Sequence, residues 1–177
     1  MRRLFLLRHA KSAWPAGIAD FERPLAPRGI AAARLVGDYL RRENFAPARI
    51  VVSPARRTRE TWRLVSEAWQ PAGAEVSEDA RIYAASLGTL LALVRETPPD
   101  APGLLLIGHN PGFAELAMLL SDAVTSVDDD YRRMTRKYPT AALAVIDFAQ
   151  DDWHVVPESG RLERFVTPKQ LGGHDDD

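Results

Sequence analysis

The chain of 177 residues is 46% apolar and 27% charged with a net charge of -1, the composition of a globular protein long enough to bury a substantial core. Near-neutral charge leaves no electrostatic footprint for nucleic acid or an anionic membrane surface. The absence of cysteine removes disulfides, thiolate metal sites and thiol nucleophiles.

Leu4 to Leu7 is apolar without alternation, the pattern of a strand buried on both faces. This run is too short for the apolar core of a secretory signal, which needs roughly 7–15 residues, so a cytoplasmic chain is expected. The strand ends in Arg8 and His9. A guanidinium beside an imidazole suits gripping and attacking a phosphoryl group, whereas an isolated Arg-His pair more often just caps a strand. Ser12 sits in the turn that follows. A long polar loop then runs to about Pro27, with Asp20, Glu22 and Arg23 within it, and loops of that length in compact domains are often functional.

A helix is predicted from near Pro27, with Ile30, Ala33, Val36 and Leu40 on one face. Arg49 to Val52 predicts a short buried strand. Ser53 and Pro54 then suit N-cap and first helical position of a second helix, which keeps its period to about Gln70. Ala74 to Val76 reads as a short extended piece, and Ser86 as the cap of a helix stopped by Pro98-Pro99. Gly103 to Gly108 is the clearest buried strand. It runs into His109, Asn110 and Pro111, where Asn110 and Pro111 again suit cap and first helical position. A short helix is expected after Asp128-Asp129-Asp130, whose acids sit at the favourable end of the dipole. Ala141–Phe148 and Trp153–Val156 read as two last strands paired in a hairpin. Alternating strands and helices predict an α/β fold, a three-layer α/β/α sandwich whose mostly parallel central sheet carries helices on both faces. One domain is expected over 1–168, with 169–177 a polar, mobile tail.

Three predicted strand ends carry the same chemistry: Arg8 and His9, then Ser53 ahead of Arg56 and Arg57, then His109. In parallel sheets ligands bind at the carboxyl ends of the strands, and helix openings favour oxyanions. A metal is the competing use of two histidines, but no matched carboxylate accompanies them and nearby arginines repel a cation. His154 and His174 read as structural or surface residues.

Four segments resemble one family. Leu7-Arg8-His9-Ala10 is similar to the Arg-His-Gly signature of the histidine phosphatase superfamily, the phosphoglycerate mutase-like fold. Ser53-Pro54-Ala55-Arg56-Arg57-Thr58-Arg59-Glu60-Thr61 resembles its Ser-Pro-x-x-Arg-Ala-x-x-Thr motif, which aligns Arg57 and not Arg56 with the phosphate-binding arginine. Gly108-His109-Asn110-Pro111 resembles the second histidine motif, and Arg23-Pro24-Leu25 with Gly29 resembles a segment of the SixA-type branch, which acts on phosphohistidine. Ala10 departs from the usual glycine, Pro15 stands where the mutases carry asparagine, and the Ile82–Ala84 region lacks the mutases' proton-donating glutamate.

The resemblance implies a phosphatase needing neither metal nor cofactor. Neutral His9 is the nucleophile, and Arg8, Arg57 and His109, the last as imidazolium, hold the phosphoryl oxygens, with Asn110 and Ser12 also against the substrate. An alkoxide leaves badly without an acid, so the missing carboxylate favours phosphohistidine of a protein over alcohol esters. The alternatives are a general small-molecule phosphomonoesterase and an inactive phospho-binding module. Asp20 and Glu22 are the candidate general acids, with solvated loop carboxylates as their default reading. The expected partner is a phosphorylated protein or small phosphorylated substrate, with no nucleic acid and no membrane.

Overall fold

The apolar runs of the sequence become the middle of one six-stranded sheet. The computed structural model describes residues 1–175. Its strands are β1 (Arg2–Arg8), β2 (Arg49–Val52), β3 (Glu75–Glu78), β4 (Gly103–Gly108), β5 (Leu143–Phe148) and β6 (Gly160–Val166), in the spatial order β3-β2-β4-β1-β5-β6. The four strands β3, β2, β4 and β1 are parallel, and β5 pairs antiparallel with both β1 and β6. At the β3 edge, Glu75 and Glu78 face solvent, and charge there discourages pairing with another chain.

Successive residues of a strand point to opposite faces, so β1 feeds two cores. Phe5 and Leu7 pack with Leu105 and Ile107 beneath α1 (Pro27–Arg42) and α2 (Arg56–Trp69). Leu4 and Leu6 pack with Leu104 and Leu106 against α3 (Leu87–Arg95), α4 (Gly112–Leu120) and α5 (Asp128–Arg136). Each such fully buried side chain contributes about 1.5–3 kcal/mol, which is why these strands carry no polar face. Among the described residues no helix is long and apolar enough to cross a membrane.

Four expectations are corrected. Helix α2 starts at Arg56 with Ala55 as N-cap, because the Ser53 hydroxyl is spent on His109 instead of on a helix N–H. Helix α4 starts at Gly112, because the Asn110 amide reaches the Tyr138 carbonyl and Pro111 occupies the N-cap position after a cis Asn110-Pro111 bond. Trp153–Val156 forms no strand. Trp153 is buried with its indole N–H donating to the Ala101 carbonyl at 2.9 Å, and the Val155 carbonyl accepts from Arg95, so these residues enter the core as irregular chain. The partner of β5 is β6, and a shift in register at Val145/Ile146 sends both Leu162 and Phe165 into one core although they lie three apart. The polar tail begins in structure: Pro168–Leu171 is a 3₁₀ turn capped by Thr167, and the Asp175 carboxylate accepts from the Thr167 hydroxyl and the Lys169 N–H. Its last residues, Asp176 and Asp177, lie outside the described residues.

Candidate active site

Register explains why distant residues meet. Arg8 pairs with Gly108, and Val52 with Ile107, so the residues that follow β1, β4 and β2 emerge side by side at one sheet edge. The His9 and His109 ring centroids are 5.3 Å apart. Both rings line one lobe of a crevice, about 330 Å³, walled by Arg8, Arg23 and Arg57, and His109 also lines a second lobe, about 390 Å³, walled by Tyr83, Ala84, Ala85 and Pro111.

His9 is buried, and its Nδ1 lies 2.8 Å from the Ala10 carbonyl, which makes Nδ1 the protonated nitrogen. The Nε2 lone pair is thereby left toward the crevice, where the Arg57 Nε–H donates to it at 3.3 Å. Burial pushes the pKa of His9 well below its ordinary value; the Ala10 bond opposes this, and His109, Arg57 and Arg8 reinforce it. The residue after the nucleophile is held in turn by Thr61, whose hydroxyl accepts from the Ala10 N–H at 3.0 Å and donates to the Arg57 carbonyl at 2.6 Å. One threonine a helical turn beyond Arg57 thus ties β1 to α2.

His109 is also buried, and its Nε2 lies 2.7 Å from the Ser53 hydroxyl. Burial first, then the Arg57 charge, lowers its pKa to about 4, against a smaller opposing effect of Asp20. This direction favours the neutral ring and runs against the expected imidazolium. Arg8 and the Asn110 amide both donate to the Tyr138 carbonyl, at 2.9 and 2.8 Å, so one backbone oxygen aims a side chain from β1 and one from the turn after β4.

Arg57 is buried and faces the crevice, while Arg56 points outward and pairs with Glu60 at 2.8 Å. Adjacent helical residues point about 100° apart, so only one of the two can enter. The Arg57 guanidinium donates to the Asp20 carbonyl at 2.7 Å and to the Asp20 carboxylate at 3.1 Å. That carboxylate also accepts from the Tyr83 hydroxyl at 2.6 Å and from Arg23 at 3.1 Å. The Tyr83 bond leads these effects in holding the Asp20 pKa at about 2. Asp20 remains an exposed loop acid, but its carboxylate is tied to Arg57, Arg23 and Tyr83 at the crevice. Glu22 is exposed and faces the outer side of α2 beside Arg56.

Ser12 lines the crevice, but its hydroxyl is taken by Arg23 at 2.5 Å. Arg23 is the cation that sequence reasoning left without a role. It is buried, donates to the Ala13 carbonyl as well, and lies over the Trp14 ring at 3.1 Å from the centroid. Its signal was present in the Arg23-Pro24-Leu25 segment. Tyr83 had no such signal, since it belongs to a stretch noted only for lacking a carboxylate. Among the described residues no group of three His, Asp or Glu side chains is placed to hold a metal ion.

The model of the histidine phosphatase superfamily (branch 1) matches residues 4–103, more than half of the chain. The chain belongs to the histidine phosphatase superfamily. Among histidine phosphatases of known structure it resembles SixA of Agrobacterium tumefaciens, 29% identical with a TM-score of 0.77 over 94% of this chain and 98% of that one. SixA of Nakamurella multipartitia is 26% identical with a TM-score of 0.79, covering 94% and 96%. By sequence the chain is 36% identical over 163 residues to an uncharacterized protein of Mycobacterium tuberculosis, spanning 92% of this chain and 100% of that protein. The fold is the phosphoglycerate mutase-like α/β fold of these histidine phosphatases, a mixed sheet with helices on both faces.

Proposed function

We propose that this histidine phosphatase hydrolyses phosphohistidine of a protein through a phosphoryl group carried on His9. The observation that carries the reading is the state of His9: a neutral imidazole with Nδ1 bound to the Ala10 carbonyl and an Nε2 lone pair turned to a crevice of guanidinium groups. That lone pair attacks phosphorus, the bond from phosphorus to the substrate nitrogen breaks, and the leaving imidazole takes its proton from solvent. Water then attacks the phosphoryl-His9, releasing inorganic phosphate and restoring the neutral ring. Arg8, Arg57 and Arg23 hold the phosphoryl oxygens, and the Arg57 Nε–H moves from His9 to one of them as attack begins. Ser12 supports this set by orienting Arg23, and Asn110 lies beside His109 on the crevice wall. Three cations and backbone dipoles supply the charge stabilisation that a metal gives elsewhere, so no metal or cofactor enters.

The choice of a P–N substrate rests on Asp20. With a pKa of about 2 and bonds to Arg57, Arg23 and Tyr83, its carboxylate is ionised and has no proton to give a departing alkoxide. An imidazole leaving group needs no such acid from the protein, because its distal ring nitrogen takes a proton from solvent and it departs as the neutral ring. The resemblance to SixA, whose name is that of a phosphohistidine phosphatase, points the same way. The second lobe, about 390 Å³ and walled by Tyr83, Ala84, Ala85 and Pro111, has room for an imidazole.

The test is a panel comparing a phosphohistidine-bearing protein with aryl phosphates, 3-phosphoglycerate and sugar phosphates. Cleavage of the first two with scarcely any of the rest supports the reading. Equal activity on the sugar phosphates replaces it with a general small-molecule phosphomonoesterase. The position of Asp20, within the leaving-group lobe, would make it the acid of that enzyme.

A further inference from the structure

Ser53 begins the second motif, yet it neither caps a helix nor faces the open crevice. It is fully buried, and its main chain is pinned by an N–H to the Ile107 carbonyl at 3.0 Å and a carbonyl that accepts from the Thr58 hydroxyl at 2.7 Å. Among the described residues its hydroxyl has one partner, His109 Nε2 at 2.7 Å. The other ring nitrogen of His109, Nδ1, is buried and has no hydrogen-bond partner.

We infer that Ser53 is a positioning residue that fixes the tautomer of His109, so that the ring presents an Nδ1–H donor to the phosphoryl oxygens. A count of protons makes the assignment. A neutral imidazole has one N–H and one lone pair, and a serine hydroxyl has one proton to place. If Nε2 carried the proton and donated to Ser53, the buried serine proton would have no acceptor, and Nδ1 would keep a lone pair that no phosphoryl oxygen can use. If the serine hydroxyl donates to Nε2, the serine proton and the Nε2 lone pair are both satisfied, and the N–H is left on Nδ1, the nitrogen without a protein partner. The burial that lowers the His109 pKa to about 4 makes the choice matter, since an imidazolium would donate from both nitrogens in any case. The two histidines then share one tautomer for opposite purposes. The Ala10 carbonyl frees the Nε2 lone pair of His9 for attack, and Ser53 frees the Nδ1–H of His109 for binding.

The catalytic consequence rests on the phosphatase reading, but the tautomer does not. Imidazole nitrogen-15 labelling and long-range proton–nitrogen correlation spectra of the full chain at pH 7, without substrate, read it directly. In the wild type His109 is protonated on Nδ1. In Ser53→Ala the His109 signals move toward the Nε2–H form while those of His9 stay, kcat/KM falls about tenfold, and Ser53→Thr, which keeps the hydroxyl, restores both. A wild-type His109 protonated on Nε2 overturns the inference, as does a Ser53→Ala spectrum with the His109 tautomer unchanged. If Ser53→Ala does not fold, the wild-type spectrum alone decides. Failure of the phosphatase reading has a different signature, the absence of any phosphoryl group on His9.

Discussion

At the scale of single residues, the crevice is a set of charges and lone pairs whose states follow from burial. His9 and His109 both have pKa values lowered first by burial, His109 to about 4. Turnover is therefore expected to be level through neutral pH and to fall only in acid, as the rings take up protons and His9 loses its lone pair. Stability follows the same sign. The unfolded chain protonates these histidines from about pH 6.5 downward while the folded crevice resists, so stability present above that value drains away toward pH 4, with a contribution from His109 of about 3 kcal/mol. Urea unfolding at pH 7, 5.5 and 4.5 checks this, and a stability that rises as pH falls contradicts it. Arg57→Ala is expected to cost about 2–4 kcal/mol of transition-state stabilisation, the loss typical of one oxyanion donor. Arg56→Ala removes a half-exposed pair with Glu60 and should cost under about 1 kcal/mol. Comparing kcat/KM of the two variants tests the assignment, and the reverse order refutes it.

At the scale of elements, the loop before α1 connects sequence to site. It starts at the turn after His9, forms a bridge between Ser12 and Leu25, and delivers Asp20 and Arg23 to the crevice. Its seat on α1 requires Gly29, because a Cβ there would stand 2.1 Å from the Lys11 carbonyl oxygen. Gly29→Ala should destabilise the chain by about 1–3 kcal/mol, read as a lower urea midpoint, and weaken turnover by displacing Arg23. An unchanged midpoint would mean the loop is not seated on α1 in solution. The loop also decides the chemistry of the leaving group. With Asp20 ionised, kcat/KM should drop steeply as leaving-group pKa rises, and Asp20→Asn should leave that slope as it is. A shallow slope made steep by Asp20→Asn would show that Asp20 releases Arg57 and serves as an acid.

At the scale of the whole molecule, the sheet was legible where burial on both faces writes an unbroken apolar run, as in β1 and β4. Its far edge was not. The register shift between β5 and β6 breaks the two-residue alternation, so β6, with Arg161, Glu163 and Arg164 among its residues, hides as a polar segment. Trp153 and Val155 meanwhile imitate a strand because irregular chain also enters the core. Helix starts were misplaced at Ser53 and Asn110, where the side chains that usually cap a helix are spent in the crevice. The meeting of Arg8, His9, Arg57 and His109 was readable from parallel strand ends; the folding back of Asp20 and Tyr83 onto Arg57 was not, since nothing local in sequence encodes a contact between residues this far apart. Activity is expected to survive EDTA and to be inhibited by vanadate, which suits a crevice of arginines; a requirement for added Mg²⁺ or Zn²⁺ would overturn that charge assignment. The most direct measurement traps the intermediate. Wild-type protein is mixed with substrate carrying labelled phosphate, quenched, and mapped by peptide for an acid-labile, alkali-stable phosphoryl group. The account predicts that label on His9, with no label and no hydrolysis in His9→Ala; label on another residue, or full hydrolysis by His9→Ala, would contradict it.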